Sequence, residues 1–385
     1  MADGAARAHP SVAVFFGASG RAQPASGAVR SLEALTCDLS DEFALTLAAS
    51  ADVFCATARG LSRVVLAPGG ARWHPVRRLL ARGDFDLVHL NSLFDRETTL
   101  PVLALRRAGL VPRMPVLVSP RGECAPGALA QKAGAKRAYL TALRRLGLLD
   151  DVWLHATALQ ERRDIAALGL PARGILDAPD TAQLAPPPQS LKGSRHRGGP
   201  LRIVFLGRVA PVKNLVFALE TLTRVRVPVD FDLIGPVVCA RYKVACDAAI
   251  SRLPRHVRAT WKPSIPAEEP ISILEAYDVF FMPSLNESYG HAIAEALAAG
   301  LPVITSDRTP WRGLAEARAG WDLPLGEPSR FAAAIDRYAA LPPEERQRWR
   351  RGARRLAERR HAEADAARAT AAMFRTAMAP EAPRP

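Results

Sequence analysis

The chain has 385 residues, 49% of them apolar and 23% charged, and its 52 basic and 38 acidic side chains leave a net charge of +14. This balance excludes a disordered chain, and no apolar stretch approaches the roughly 18–20 residues of a membrane span. The positive excess favours anionic partners without choosing among nucleic acid, an acidic membrane and a phosphorylated small molecule.

A strand at Val12 to Phe16 opens the ordered pattern and is too short for a signal-peptide core. The small-residue loop Gly17 to Gly27 leads into a helix carrying Val29, Leu32 and Leu35 at helical spacing. It lacks the GxGxxG spacing of a dinucleotide fingerprint. Strands follow at Leu87 to Leu90 and Val116 to Ser119, then a long basic helix over Leu129 to Leu146 and a strand at Val152 to Ala156. Asn91-Ser92 and His155-Ala156-Thr157 with Glu161 stand at strand ends, where satisfying the buried backbone explains them as well as a site does. From Ala178 to Pro200 the composition turns to Pro, Gly, Ser and Arg, the signal of a linker. The second half restarts with a strand at Arg202 to Leu206, a loop at Gly207 to Lys213 and a helix at Leu215 to Leu222. Strands at Phe231 to Ile234 and Val279 to Met282 come next. An Arg-rich helix over Pro343 to Arg360 and a smaller amphipathic one over Ala364 to Met378 close the chain; the eight arginines between Arg346 and Arg360 read as a solvated face.

The length and this order predict an α/β protein of two Rossmann-like, doubly wound domains facing across a cleft, with C-terminal helices. The expected divisions are 1–177, a linker at 178–200, a second domain at 201–360, and a helix and tail at 361–385 able to pack back on the first domain. Five cysteines (Cys37, Cys55, Cys124, Cys239, Cys246) show neither CxxC nor zinc spacing and read as reduced cytosolic thiols.

The densest chemistry lies between Pro283 and Val303. Glu287 and Glu295 form an E-x7-E frame between the apolar runs Val279 to Met282 and Val303-Ile304, with Gly300 closing the helix between them. A strand–loop–helix–strand unit places Glu287 in the loop at the carboxyl end of a strand, where open α/β sheets bind ligands. The amides of Ser288 to Gly290 would open a helix N-terminus suited to a phosphate. Glu295, inside the helix, is placed to accept ribose hydroxyls. Arg208 and Lys213 sit at the corresponding strand end earlier in the domain, where two cations would neutralise a pyrophosphate. Asp84-Phe85-Asp86 and Asp230-Phe231-Asp232 have DxD form, but each is expected just before its strand, away from a ligand-binding end.

These residues resemble a known group. The run Asn286-Glu287-Ser288-Tyr289-Gly290-His291…Glu295-Ala296-Leu297…Gly300-Leu301-Pro302-Val303…Ser306-Asp307-Arg308-Thr309-Pro310-Trp311 is similar to that of the group 1 (family 4) glycosyltransferases, closest to bacterial members of surface-polysaccharide assembly. His89 to Phe94, Ser119 to Glu123, His155 to Thr157 with Glu161, and Gly207-Arg208…Lys213-Asn214 fit the same group. The resemblance implies a GT-B fold and retaining transfer from a nucleotide-sugar, UDP- or GDP-linked, without cofactor or metal. Carried over by position, Gly207, Arg208 and Lys213 would hold the donor diphosphate, completed by Ser288, Tyr289, Gly290 and His291. Glu295 would bind the ribose and Glu287 the sugar near the reacting carbon. Arg121 stands where many relatives place a donor-contacting histidine, while Gly27, Asn91 and His155 would face the acceptor. Trp261-Lys262-Pro263 replaces a usual glycine beside the base.

The implied partners are a nucleotide-sugar and a glycan or lipid-linked saccharide acceptor, in the cytoplasm or on the inner face of the plasma membrane. The basic residues Lys132, Lys136, Arg137, Arg144 and Arg145 make an anionic membrane surface a candidate partner, although a solvated helix face explains them equally. Nucleic acid is not expected, because aromatic residues are only 6% and do not interleave with the basic ones. A nucleotide-sugar epimerase or a catalytically silent scaffold would share the same fold.

Overall fold

The computed structural model describes residues 9–17, 27–49, 61–66, 73–180, 199–264, 270–363 and 366–380. The chain divides into two compact units, Met1–Gln183 with Asp365–Pro385, and Leu184–Ala364.

Unit one carries the strands β1 (Ser11–Phe16), β2 (Ala44–Ala49), β3 (Ser62–Val65), β4 (Leu87–Asn91), β5 (Val116–Ser119), β6 (Val152–Ala156) and β7 (Gly174–Asp177). They pair in the order β3-β2-β1-β4-β5-β6-β7, all parallel. Parallel neighbours need crossover connections, and helices serve most of them: α1 (Gly27–Leu39), α2 (Trp73–Arg82), α3 (Thr99–Arg107), α4 (Pro126–Ala130), α5 (Ala133–Arg145) and α6 (Leu159–Ala167). Every residue of β1, β4 and β5 is buried, as expected of central strands covered on both faces. The single helix expected over Leu129 to Leu146 is two. Lys132 stands between α4 and α5 at φ +56°, a left-handed conformation through which no right-handed helix continues.

Unit two carries β8 (Leu201–Leu206), β9 (Val229–Ile234), β10 (Val257–Lys262), β11 (Val279–Met282), β12 (Val303–Ser306) and β13 (Gly320–Leu323), in the order β10-β9-β8-β11-β12-β13 and again all parallel. Its helices are α7 (Leu215–Leu222), α8 (Ala240–Ile250), α9 (Pro270–Leu274), α10 (His291–Ala298), α11 (Pro328–Ala339) and α12 (Pro343–Glu363). Asp230 and Asp232 lie inside β9 and not before it. Their alternation with buried Phe231 and Leu233 extends the strand two residues beyond its apolar run. Asp232 accepts a hydrogen bond from the Tyr277 hydroxyl at 2.9 Å. The last helix, α13 (Ala366–Met378), belongs to unit one, where Ala371, Met373, Phe374 and Ala377 join the core formed by Val12, Leu32 and Phe43.

Each sheet reverses its winding once, between β1 and β4 in unit one and between β8 and β11 in unit two. At such a reversal the loops leaving neighbouring strand ends diverge and leave a crevice.

Candidate functional site

In unit two the crevice is built first from glycine. Gly207 donates its N–H to Ile234 O at 3.0 Å. Gly235 faces it at φ +135°, and a Cβ there would lie 2.2 Å from Gly207 O. Only glycine lets the ends of β8 and β9 run this close, and the pairing continues in a parallel bridge between Val209 and Val237. Arg208, on this fixed loop, is exposed. Pro211–Lys213 form a single 3-10 turn that ends at Asn214, φ +56°. Val212 O accepts the Leu285 N–H at 2.8 Å, which fastens the loop after β8 to the loop after β11.

That fastening sets Lys213 against Glu287. Nζ and Oε1 are 2.6 Å apart, with the two side chains 16% and 9% exposed. The same Oε1 accepts the Ser284 hydroxyl at 2.6 Å. Ser284 O in turn accepts the Ser306 hydroxyl, and Ser306 Oγ accepts the Arg308 N–H at 3.2 Å. The loop after β12 therefore holds the Glu287 loop from behind.

Gly290 precedes α10 at φ +81°, its Cα packed so that a Cβ would lie 3.2 Å from Ile293 Cδ1. Trp311 Nε1–H donates to Tyr289 O at 2.6 Å, and its ring meets the Tyr289 ring edge-on at 5.8 Å. The Tyr289 and His291 rings are 4.9 Å apart. These contacts fix the turn in which half-buried Ser288 lies, and α10 starts at the carboxyl end of the sheet with the positive end of its dipole there. Glu295 is buried on α10, 8% exposed. On the far side of β9, Trp261 turns onto α8, donating to Asp247 Oδ1 at 2.9 Å beneath Lys243. Exposed Pro263 has no N–H to offer a base.

Unit one has a separate polar network at its own strand ends. Arg121, at φ +50°, donates through Nε to Asn91 Oδ1 and through Nη1 to Asp180 Oδ1, both at 2.8 Å. The Arg121 and Asp180 side chains are 9% and 8% exposed. Asp180 Oδ2 also accepts the Ser31 hydroxyl at 2.9 Å. Asn91 Nδ2 donates to Phe15 O at 3.2 Å. His155 Nε2 lies 2.8 Å from Ala178 O, which can only accept, so this nitrogen carries the proton. His155 Nδ1 then accepts from Ser119 Oγ, and Ser119 Oγ accepts from His89 Nε2, each at 2.7 Å. His89 Nδ1 is left buried without a partner. Burial pushes both imidazoles below their ordinary range, helped at His89 by the Arg121 charge and opposed at His155 by the Ala178 carbonyl. Glu123, whose carboxylate accepts the Ser92 hydroxyl and the Leu93 N–H at 2.7 Å each, is pushed up by burial. Gly27 is the first residue of α1, and its neighbours Ala25 and Ser26 lie outside the described residues.

The structure thus brings Lys213 and Glu287 into contact in one unit and Arg121 and Asn91 into contact in the other. Sequence reasoning gives no role to Ser284, Ser306, Gly235 or Asp180. Ser284 stands three residues before Glu287 in one turn and was open to discovery; Asp180, 59 residues from Arg121, had no local signal.

Residues 188–356 match the family profile of glycosyl transferases group 1. Phosphatidyl-myo-inositol mannosyltransferase of Mycolicibacterium smegmatis is 27% identical over 274 residues, covering 69% of this chain; the match spans 65% of that relative's own length. Among solved structures, Anabaena Alr3699/HepE in complex with UDP and glucose superposes with a TM-score of 0.69 at 15% identity, over 96% of this chain and 99% of that one. Sucrose-phosphate synthase of Thermosynechococcus elongatus reaches 0.76 at 15% identity with the same coverage. WaaG, a glycosyltransferase involved in lipopolysaccharide biosynthesis, reaches 0.63 at 14%, over 90% and 95% of the two chains. Residues 188–356 thus carry the profile of group 1 glycosyl transferases, and the two units together have the GT-B fold of the glycosyltransferase structures they resemble.

Proposed function

We propose that this protein is a retaining, metal-independent glycosyltransferase that moves a hexose from a UDP- or GDP-sugar to a lipid-linked saccharide in surface-polysaccharide assembly. The observation that carries this reading is the sheltered Lys213–Glu287 pair at the winding reversal of unit two, beside the N-terminus of α10. The UDP and glucose named in the Alr3699/HepE complex and the phosphatidyl-inositol acceptor in the mannosyltransferase's name support the donor and acceptor classes.

In this reading the donor diphosphate lies on Lys213, Arg208 and the first turn of α10, with the ribose hydroxyls on Glu295. Glu287 takes the sugar hydroxyls. The bond from the sugar's anomeric carbon to the diphosphate oxygen breaks while the acceptor oxygen bonds to that carbon from the same face. The acceptor proton passes to the departing diphosphate, so the protein supplies no strong base. Its work is to stabilise charge on the leaving group. Lys213→Ala and Glu287→Ala should each cost about 2–4 kcal/mol of transition-state stabilisation. Donors are first screened by thermal stabilisation with UDP-, GDP- and dTDP-sugars. Turnover is then measured on the stabilising donor, and near-wild-type kcat/KM in both variants would overturn the assignment.

A membrane partner gains definition in unit one. Lys132, Arg137, Arg144 and Arg145 are exposed, whereas Lys136 turns inward to Ala128 O at 2.8 Å and lies over the Phe94 ring. Arg107 Nε donates to Leu146 O at 3.3 Å, so the ends of α3 and α5 adjoin. Leu110 and Leu146 are 50% and 59% exposed among these arginines, a combination suited to an anionic bilayer surface.

A further inference from the structure

We infer that Glu287 distinguishes the intact nucleotide-sugar from the spent nucleoside diphosphate and so drives product release. The inference rests on the reading above, in which Lys213 meets the diphosphate. Lys213 has a partner of its own within the chain, Glu287 Oε1 at 2.6 Å. A diphosphate has to draw Lys213 away from that carboxylate or share it.

Glu287 is poorly placed to retreat. Ser284 holds the same oxygen at 2.6 Å, Ser306 fixes the Ser284 carbonyl, and the Glu287 N–H reaches Arg308 O at 3.4 Å. Its side chain is 9% exposed, so water does little to replace a lost partner. The carboxylate therefore stays close to whatever occupies Lys213, negative charge against negative charge.

The two ligands differ in what they return to it. A nucleotide-sugar carries hydroxyl donors beside the diphosphate, and these can satisfy Glu287 in place of Lys213. Once the proton taken from the acceptor has passed on to solvent, a nucleoside diphosphate has no such donor, and its freed terminal phosphate bears an additional negative charge. It leaves a buried carboxylate under-compensated, which costs more than a neutral group would. Lys213 alone could not discriminate in this way, because a cation attracts both ligands. After transfer, loss of the sugar removes the donors that had made the diphosphate tolerable next to Glu287.

Glu287→Gln tests this, since the amide keeps the size and an acceptor oxygen while removing the charge. Calorimetric titration of wild type and variant with UDP, GDP and UDP-glucose, on protein whose circular dichroism confirms folding, gives the readout. The expected result is that E287Q binds the preferred nucleoside diphosphate roughly tenfold or more tightly than wild type, as removal of a like-charge clash predicts. Ser284→Ala, which loosens Glu287 without removing it, should move the same affinity in the same direction by a smaller factor, and carries the test should E287Q not fold. Unchanged or weaker UDP and GDP binding in these variants, with wild type binding one of them, overturns the inference and leaves the glycosyltransferase reading standing. Wild type that binds neither UDP nor GDP overturns that reading itself.

Discussion

His89 and His155 must remain neutral for the network around Arg121 to hold. The Ala178 carbonyl orients His155, Ser119 and His89 in turn, and protonating either ring at its accepting nitrogen would reverse a hydrogen bond or place a cation near Arg121. Both folded-state pKa values are lowered, mainly by burial. The unfolded chain then binds protons that the folded one does not. The associated stability is complete above about pH 6.5, the unfolded value, and drains away as pH falls below it, at up to about 1.4 kcal/mol per unit for each ring. Arg121 pushes in the same direction at both rings, while Asp180 and Glu161 oppose it at His155. Amide hydrogen exchange in β4, β5 and β6 should therefore accelerate between pH 7.5 and 5.5, after correction for the intrinsic rate, more than in β11 and β12. His89→Gln should flatten roughly half of that dependence, one of two rings being removed. Equal slopes in the two units would contradict the account.

At the scale of elements, legibility followed the range of the forces involved. The fully buried strands β1, β4, β5 and β11 and the mostly buried β8 announced themselves as short apolar runs, and the turn–helix–strand frame around Glu287 located the crevice of unit two. These signals are local, set by burial on both faces of a sheet and by glycine at a helix end. β3 is a largely exposed edge strand with the sequence Ser-Arg-Val-Val, too polar and too short to stand out. The break at Lys132 left no mark because nothing in Gln131-Lys132-Ala133 forbids a helix; the left-handed residue is imposed from outside the segment. The Arg121–Asp180 pair was illegible for the same reason, as tertiary packing alone brings the two together. α13 shows the opposite balance: its amphipathic pattern is plain in the sequence, but which core receives its apolar face is not. Phe374 on that helix is fully buried, edge-on to Phe43 at 5.6 Å and to His89 at 5.3 Å. Phe374→Ala should destabilise unit one by about 3–5 kcal/mol, the usual cost of removing a buried aromatic ring. Urea unfolding followed by exchange in β1 and β4 measures it, and a loss below about 1 kcal/mol would show that α13 contributes little to that core.

For the molecule as a whole, a net charge of +14 sets the long-range field, but it does not say where a surface would be met. Among the described residues no helix is long and apolar enough to cross a membrane, so association with one would have to come from a face. The ends of α3 and α5 offer both ingredients of such a face. Exposed Arg107, Arg144 and Arg145 supply attraction to anionic headgroups, and Leu110 and Leu146 supply apolar surface to insert. The two ingredients predict different dependences. Attraction should weaken as salt shortens the Debye length from about 10 Å at 0.1 M to about 3 Å at 1 M, whereas insertion should not. In flotation, the protein should rise with phosphatidylcholine vesicles containing phosphatidylglycerol, fail to rise with phosphatidylcholine alone, and detach as salt increases. Arg144→Glu with Arg145→Glu should abolish the response to anionic lipid. Leu110→Ser with Leu146→Ser should lower binding at every salt concentration while leaving its salt dependence in place. Flotation that ignores lipid charge, or survives the arginine reversals, would assign those side chains to a solvated helix face and leave the acceptor to be met in solution.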